Sequence, residues 1–103
     1  MITKKRYGNL LLLNYADKAW LEGYYDEGHF QLTNLFTREE ERRKGYGSAL
    51  LNRMLYEMRR NNVRTIEVDD CTDLENNIYA KHGFTYIKEG WPEMILEFQN
   101  SGI

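Results

Sequence analysis

Hydrophobic positions fall into short alternating runs in the first third of the chain and into a helical stripe in its middle. Leu10 to Tyr15 reads as a strand. A polar turn at Ala16-Asp17-Lys18 leads into a second strand, Ala19 to Tyr25, interrupted by Gly23. Asp26-Glu27-Gly28 has the composition of a hairpin turn, and His29 to Thr37 returns as a third strand with Phe30, Leu32 and Asn34 on one face. Strands joined by turns this short form an antiparallel meander. Ahead of them Met1 to Asn9 is basic and polar, and it reads as a solvated terminus.

The pattern then changes period. Arg38 to Lys44 is almost entirely charged and predicts a solvated loop, with Glu39-Glu40-Glu41 as its outer face. Gly45 and Gly47 open a segment whose apolar residues, Leu50, Leu51, Met54, Leu55 and Met58, recur at helical spacing. The predicted helix runs from about Gly45 to Arg60 and stops at Asn61-Asn62, a left-handed terminator. Val63 to Val68 is a strand, and a strand–helix–strand unit of this length favours parallel pairing through a right-handed crossover. Asp69 to Asp73 is an acidic loop, with Thr72 or Asp73 as N-cap of a short helix through about Lys81. Strands over Phe84–Lys88 and Glu93–Phe98 close the chain. The order is βββ-α-β-α-β-β, an α+β fold with a mixed sheet, expected as a single domain over residues 1–103.

Composition narrows the function. Net charge is −2, from 14 basic and 16 acidic residues, which argues against a nucleic-acid partner. Cys71 is the sole cysteine, so no internal disulfide forms and a reducing, cytoplasmic setting is expected. The Leu10 to Leu13 run is too short to cross a membrane, and no signal peptide precedes it. No Cys, His, Asp and Glu set has metal-ligand spacing.

The glycine pair carries the first chemistry. Glycines at a helix N-terminus leave backbone N–H groups bare, and the helix dipole adds partial positive charge there. Arg42, Arg43 and Lys44 lie beside that end, so a phosphate or pyrophosphate is the natural guest. The chain has no GxxxxGK[ST] run, and where a dinucleotide fingerprint needs a third glycine it has Leu50. Arg42-Arg43-Lys44-Gly45-Tyr46-Gly47 instead resembles motif A, [RQ]-x-x-G-x-[GA], of the GNAT superfamily of acetyl-CoA-dependent N-acetyltransferases. Tyr79-Ala80-Lys81-His82-Gly83-Phe84 resembles the Y-x-x-x-G-F segment of that family's motif B. The runs Asp69-Asp70-Cys71-Thr72-Asp73, Asn77-Ile78-Tyr79 and Pro92-Glu93-Met94 are also similar to those of small GNAT proteins of large DNA viruses.

The resemblance implies a cofactor, roles and a substrate class. Acetyl-CoA would be the donor. Backbone groups of Leu35, Phe36 and Thr37 would pair with its pantetheine arm, and Arg42, Arg43, Lys44, Gly45, Tyr46, Gly47 and Ser48 would cradle its pyrophosphate. Tyr79 would protonate the leaving thiolate, a task suited to a phenol that stays protonated at neutral pH. Two positions depart from relatives: Thr72 stands where many have a cofactor-contacting Asn, and Gln31 where some have a glutamate base. Glu27, His29, Asp69 and Asp70 are then the candidate groups to take the amine's proton. With Asp73, the acidic ones would attract a small cationic amine such as a polyamine. A protein lysine or N-terminal amine is the alternative acceptor, and a CoA-binding module without catalysis is the alternative class. The chain begins almost at the meander, leaving little room for the N-terminal strand and two helices of many relatives. An open acceptor side is therefore expected, or one completed by a second copy through Trp20, Tyr24, Tyr25 and Trp91.

Overall fold

The computed structural model describes residues 1–69, 78–88 and 90–98, which build one seven-stranded mixed sheet with a long helix on one face. Strands β1 (Ile2–Tyr7), β2 (Leu10–Tyr15), β3 (Ala19–Asp26) and β4 (His29–Thr37) form an antiparallel meander. Helix α1 (Tyr46–Arg60) crosses over to β5 (Thr65–Val68), which lies parallel to β4. Strand β7 (Met94–Glu97) pairs antiparallel with β5, and β6 (Thr85–Tyr86) lies outside it, giving the order β1-β2-β3-β4-β5-β7-β6. A 3₁₀ turn at Glu39–Glu41 precedes α1, and residues 78–81 are helical. The α+β mixed sheet expected from the sequence pattern is the one found. The expected N-cap at Thr72 or Asp73 lies outside the described residues. Among the described residues no helix is long and apolar enough to cross a membrane.

The first residues correct one expectation. Ile2–Tyr7 is not a solvated terminus but a six-residue edge strand, paired along its length with β2. An edge strand needs no apolar alternation, because its partner supplies the backbone hydrogen bonds and its side chains reach water; Lys and Arg are common there. Lys4 ion-pairs Glu57 of α1 at 3.1 Å, and the Arg6 guanidinium lies 4.0 Å from the centre of the Tyr25 ring.

The core lies between α1 and the sheet. Leu50, Leu51, Met54, Leu55 and Met58 are all buried, packed with Leu11, Leu13, Leu21, Phe30, Leu32 and Ile66. Each such side chain stabilises the fold by about 1.5–3 kcal/mol. The helix ends as its sequence requires, with Asn62 in the left-handed region at φ 59. The β3–β4 hairpin turns on Glu27 (φ 43) and Gly28 (φ 84), the paired positive angles of the turn that matches strand twist.

Strand β4 does not keep one phase. Gly23 of β3 is opposite Leu32 while Glu22 is opposite Asn34, so Thr33 is an extra residue in β4. Its hydroxyl donates to the Glu22 carbonyl at 3.1 Å. Beyond the bulge the faces exchange: Phe30 and Leu32 point at α1, and so do Leu35 and Thr37, whereas Asn34 is exposed. Asn34 therefore does not share a face with Phe30 and Leu32, because an inserted residue shifts a two-residue period by half. Gly23 makes the arrangement possible. A Cβ there would overlap the Gln31 carbonyl and the Phe30 ring.

Tyr25 is likewise on the α1 face, edge-on to Phe30 at 5.1 Å, and is half-buried; Trp20 is half-buried and stacked on Phe36 at 5.8 Å. Tyr24 and Trp91 are the more exposed of the four aromatic residues expected at a surface, at 44% and 48%.

Glu57 is a buried carboxylate that the helical stripe did not anticipate. Burial alone would raise its pKa, but hydrogen bonds from Arg53 Nε (3.0 Å) and Lys4 Nζ (3.1 Å) outweigh that and hold it below the usual carboxylate range. A depressed native pKa adds stability that is present above the unfolded value, about 4.3, and lost as pH falls through the native one. Glu57→Gln is expected to lower stability at neutral pH by about 1–2 kcal/mol. Thermal unfolding across pH should find that deficit shrinking below about pH 4; a constant deficit would mean that the charge is not its source. Gly23→Ala should cost about 1–3 kcal/mol by forcing the Gln31 backbone and Phe30 apart. An unchanged denaturation midpoint would show that the bulge relaxes freely.

Candidate active site

The site is built where α1 begins. The loop enters the helix through two left-handed residues, Arg43 (φ 66) and Gly45 (φ 88), and Gly45 is the N-cap. No side chain caps the helix, and the first intrahelical bond runs from Ala49 N to Gly45 O at 3.0 Å. The N–H groups of Tyr46, Gly47 and Ser48 therefore have no acceptor among the described residues, at the positive end of a 15-residue helix. Three elements converge on Gly47. A Cβ placed there would lie 3.1 Å from Ile78 Cδ1 and 3.9 Å from Thr37 Oγ1. Ser48 Oγ hydrogen-bonds His82 Nε2 at 3.3 Å, and His82 Nδ1 donates to the Ile78 carbonyl at 2.8 Å, which docks residues 78–82 on the first turn of α1.

Cations surround this end unequally. Arg42 Nε donates to the Thr37 carbonyl at 3.4 Å, and Lys44 pairs with Glu41 at 3.0 Å, a hydrogen bond that lowers the Glu41 pKa. Arg43 makes no ion pair or hydrogen bond among the described residues, so its charge is available to an anion. Lys18, which sequence reasoning left in a turn, reaches over the Tyr46 ring and donates to its hydroxyl at 3.3 Å; that bond raises the Lys18 pKa. Arg38 is held by the Asp17 carbonyl at 2.6 Å and lies over Trp20.

Beside this cradle the sheet is forked. β4 pairs with β5 only from His29↔Thr65 to Leu32↔Val68. Past the Thr33 bulge, residues 33–37 continue as a strand with no partner on the β5 side among the described residues. An extended amide-bearing arm can add to such an edge by backbone hydrogen bonds. Leu35, Phe36 and Thr37 form it, with Leu35 and Thr37 half-buried and Phe36 46% exposed.

The other anticipated residues are dispersed. Tyr79 is buried at 2% exposure, its ring edge-on to Phe84 at 5.6 Å, one residue from the Ile78 contact with Gly47. Asp69 follows β5 directly and is exposed beside the fork. Asp70 and Thr72 lie outside the described residues. Glu27 occupies the hairpin at the opposite end of β4, about 17 Å of strand from Leu32, so the structure does not bring it to Asp69. His29 has both ring nitrogens engaged, Nδ1 with Thr65 Oγ1 at 2.7 Å and Nε2 with Gln31 Oε1 at 3.5 Å. Among the described residues no cluster of His, Cys, Asp and Glu is arranged to hold a metal ion. A polar depression lined by Lys4, Arg53, Tyr56, Glu57, Arg60 and Asn61 lies at the far end of α1, away from the fork.

Two carboxylates near the fork escaped the sequence reading. Glu67 is paired in register with Gln31 across the parallel strands, and Glu93 has a buried Oε1 with no hydrogen-bond partner among the described residues. The pairing that brings Glu67 to Gln31 joins positions 36 residues apart, and only a correct register for the β4–β5 crossover would have found it.

The geometry agrees with what is found among known proteins. The family model described as the acetyltransferase (GNAT) domain matches residues 5–86. No curated protein matches the sequence significantly. The fold is similar to that of the PaiA N-acetyltransferase from Thermoplasma acidophilum, solved in complex with coenzyme A, with a TM-score of 0.73 at 19% identity over 86% of this chain and 60% of that one. Gcn5 from Tetrahymena gives 0.74 at 16% identity, over 90% of this chain and 71% of that one. The ribosomal-protein-S18-alanine N-acetyltransferase from Escherichia coli gives 0.73 at 16% identity, over 95% and 76%. The chain thus spans about three fifths of the length of the PaiA structure, and at these identities the likeness is one of fold. On the match of the family model over most of its length, this chain belongs to the GNAT acetyltransferase domain family.

Proposed function

We propose that this chain is a single-domain N-acetyltransferase that moves an acetyl group from acetyl-CoA directly to a primary amine. The observation that carries this reading is the convergence at Gly47 of three N–H groups and a strand edge that have no partner among the described residues with the helical residues 78–81. The first would bind the pyrophosphate, with Arg42, Arg43 and Lys44 as counter-charges, and the second the pantetheine amides. Tyr79 would supply the proton to the departing thiolate from the element docked against α1, and Thr72 would add a cofactor contact. The acceptor is a small cationic amine of the polyamine class, drawn by Asp69 and Asp70. A protein lysine or N-terminal amine is the second reading, favoured by the uncovered sheet face that carries Trp20, Phe36 and Tyr24. A second copy covering that face, a cytoplasmic setting and kinship with the small viral members of the family complete the proposal.

Thiol release from acetyl-CoA with putrescine, spermidine, spermine, free lysine and lysine peptides tests the substrate. Release with polyamines alone is the expected result; release with peptides alone would replace the acceptor, and silence with CoA still bound would leave a non-catalytic module. Tyr79→Phe should lower turnover about 10²-fold with CoA affinity kept, whereas a binding module would be indifferent. Gly47→Val should weaken CoA binding about tenfold, near 1.4 kcal/mol, by crowding Ile78 and screening the N–H groups. Calorimetry finding full affinity would remove that turn from the site.

A further inference from the structure

The first turn of α1 and the helical residues 78–81 are joined by a side-chain hydrogen bond. Ser48 Oγ and His82 Nε2 are 3.3 Å apart, and both residues are half-buried. We propose that His82 is a positioning residue for the cofactor's pyrophosphate: through Ser48 it couples anion binding at the start of α1 to the uptake of a proton. The inference rests on the acetyltransferase reading above and deepens it.

The hydrogen bonds fix where the imidazole hydrogen sits. His82 Nδ1 lies 2.8 Å from the Ile78 carbonyl oxygen, which can only accept, so Nδ1 carries a hydrogen. In the neutral ring Nε2 is then the acceptor, and the hydrogen between it and Ser48 Oγ belongs to the serine. A serine hydroxyl has a single hydrogen, so while it is given to His82 the Ser48 side chain offers an anion only lone pairs. Protonation of His82 reverses the bond. Nε2–H then donates to Ser48 Oγ, and the hydroxyl hydrogen is released for a phosphate oxygen, beside the N–H of the same residue. The imidazolium also places a positive charge one side chain behind the cradle, and its bond to the Ile78 carbonyl becomes charge-assisted. Ile78 packs on Gly47 and precedes Tyr79, so the same proton strengthens the docking of residues 78–82 on α1.

The charged and titratable groups on the surrounding elements are of other kinds. Lys81 and the buried Tyr79 lie on the same turn as His82. Arg42, Arg43 and Lys44, with Glu41 paired to Lys44, are on the loop into α1, and Lys18 lies over the Tyr46 ring. Tyr86 is on β6, and Glu93 and Glu97 are before and within β7, whose Leu96 approaches Gly83. None of these residue types ordinarily changes charge between about pH 5.5 and 8, whereas an imidazole does. The other histidine, His29, opens β4 and is bonded to Thr65 and Gln31. A site that takes up a proton on binding holds its ligand more tightly as pH falls, which gives the coupling its sign.

Calorimetry of CoA binding in two phosphate-free buffers of different ionisation enthalpy counts the protons taken up. The 3′-phosphate of CoA has its own ionisation near about pH 6, but it contributes alike to each protein, so a difference between variants isolates the side chain. At pH 7 wild type should take up about half a proton more than His82→Gln. Between pH 8 and pH 6 its CoA affinity should gain about tenfold relative to that variant. Ser48→Ala keeps the imidazole but removes the hydroxyl, and should lose most of the gain. His29→Gln leaves His82 as the only imidazole, and its ring resonances should show the proton kept to higher pH once CoA is bound, with residue 82 itself untouched. Equal proton uptake in wild type and His82→Gln, or a variant that binds more weakly with an unchanged pH dependence, would reduce His82 to a structural dock and overturn the proposal. A full gain in Ser48→Ala would overturn the path through the hydroxyl. A wild type that does not bind CoA would instead overturn the reading on which it rests.

Discussion

The structure depends on one extra residue. With Thr33 inserted, β4 pairs with β5 up to Leu32 and from residue 33 onward has no partner on that side among the described residues. Without the bulge the strand would keep one twist and one face throughout, and a longer β5 could continue beside residues 33–37. Backbone groups would then be satisfied within the sheet, and no edge would be left beside α1. Gly23 is the other half of the same device. It accepts the Phe30 ring and the Gln31 carbonyl in the space that any Cβ would occupy. Core packing and the opening of the fork are therefore set by one contact.

Electrostatics complete what the backbone begins. The entry to α1 gathers N–H groups and an Arg43 side chain that have no partner among the described residues, while neighbouring basic residues are partly neutralised or tied to carbonyls. The face beyond the fork is acidic, with Glu67, Asp69, Glu93 and Glu97. Positive and negative potential are thus set on opposite sides of the same sheet. The net charge of −2 conceals that division, because the two sets cancel in the total.

Much of this was legible in the residues. Leu50, Leu51, Met54, Leu55 and Met58 marked the buried stripe of α1, and the glycine pair marked its entry, because helical period and missing side chains are local properties. The bounds of β2 and β4 were equally readable. What escaped was non-local. Ile2–Tyr7 carries too little apolar character to announce a strand, and becomes one because β2 offers it a backbone. Glu57 lies on the buried stripe against hydrophobic pattern, and only its two basic partners, one of them 53 residues away, account for it. Asn34 followed the two-residue period until the bulge inverted it. The pairing of Glu67 with Gln31 depends on the register of two strands joined by a crossover, which no local pattern reveals.

The charged edge strand has a consequence for the company this sheet keeps. Any sheet can polymerise through its outermost strands, and here those are β1 and β6. β1 presents Lys4, Lys5 and Arg6 in succession, and β6 is two residues long, so neither offers a neutral, extended template to another chain. The uncharged run Thr33-Asn34-Leu35-Phe36-Thr37 is such a template, but it lies within the order of the sheet rather than at its rim, with Thr37 against the start of α1. The edge that could accept a further strand is thus set within the sheet, and the two rims that face other molecules are the charged and the short one.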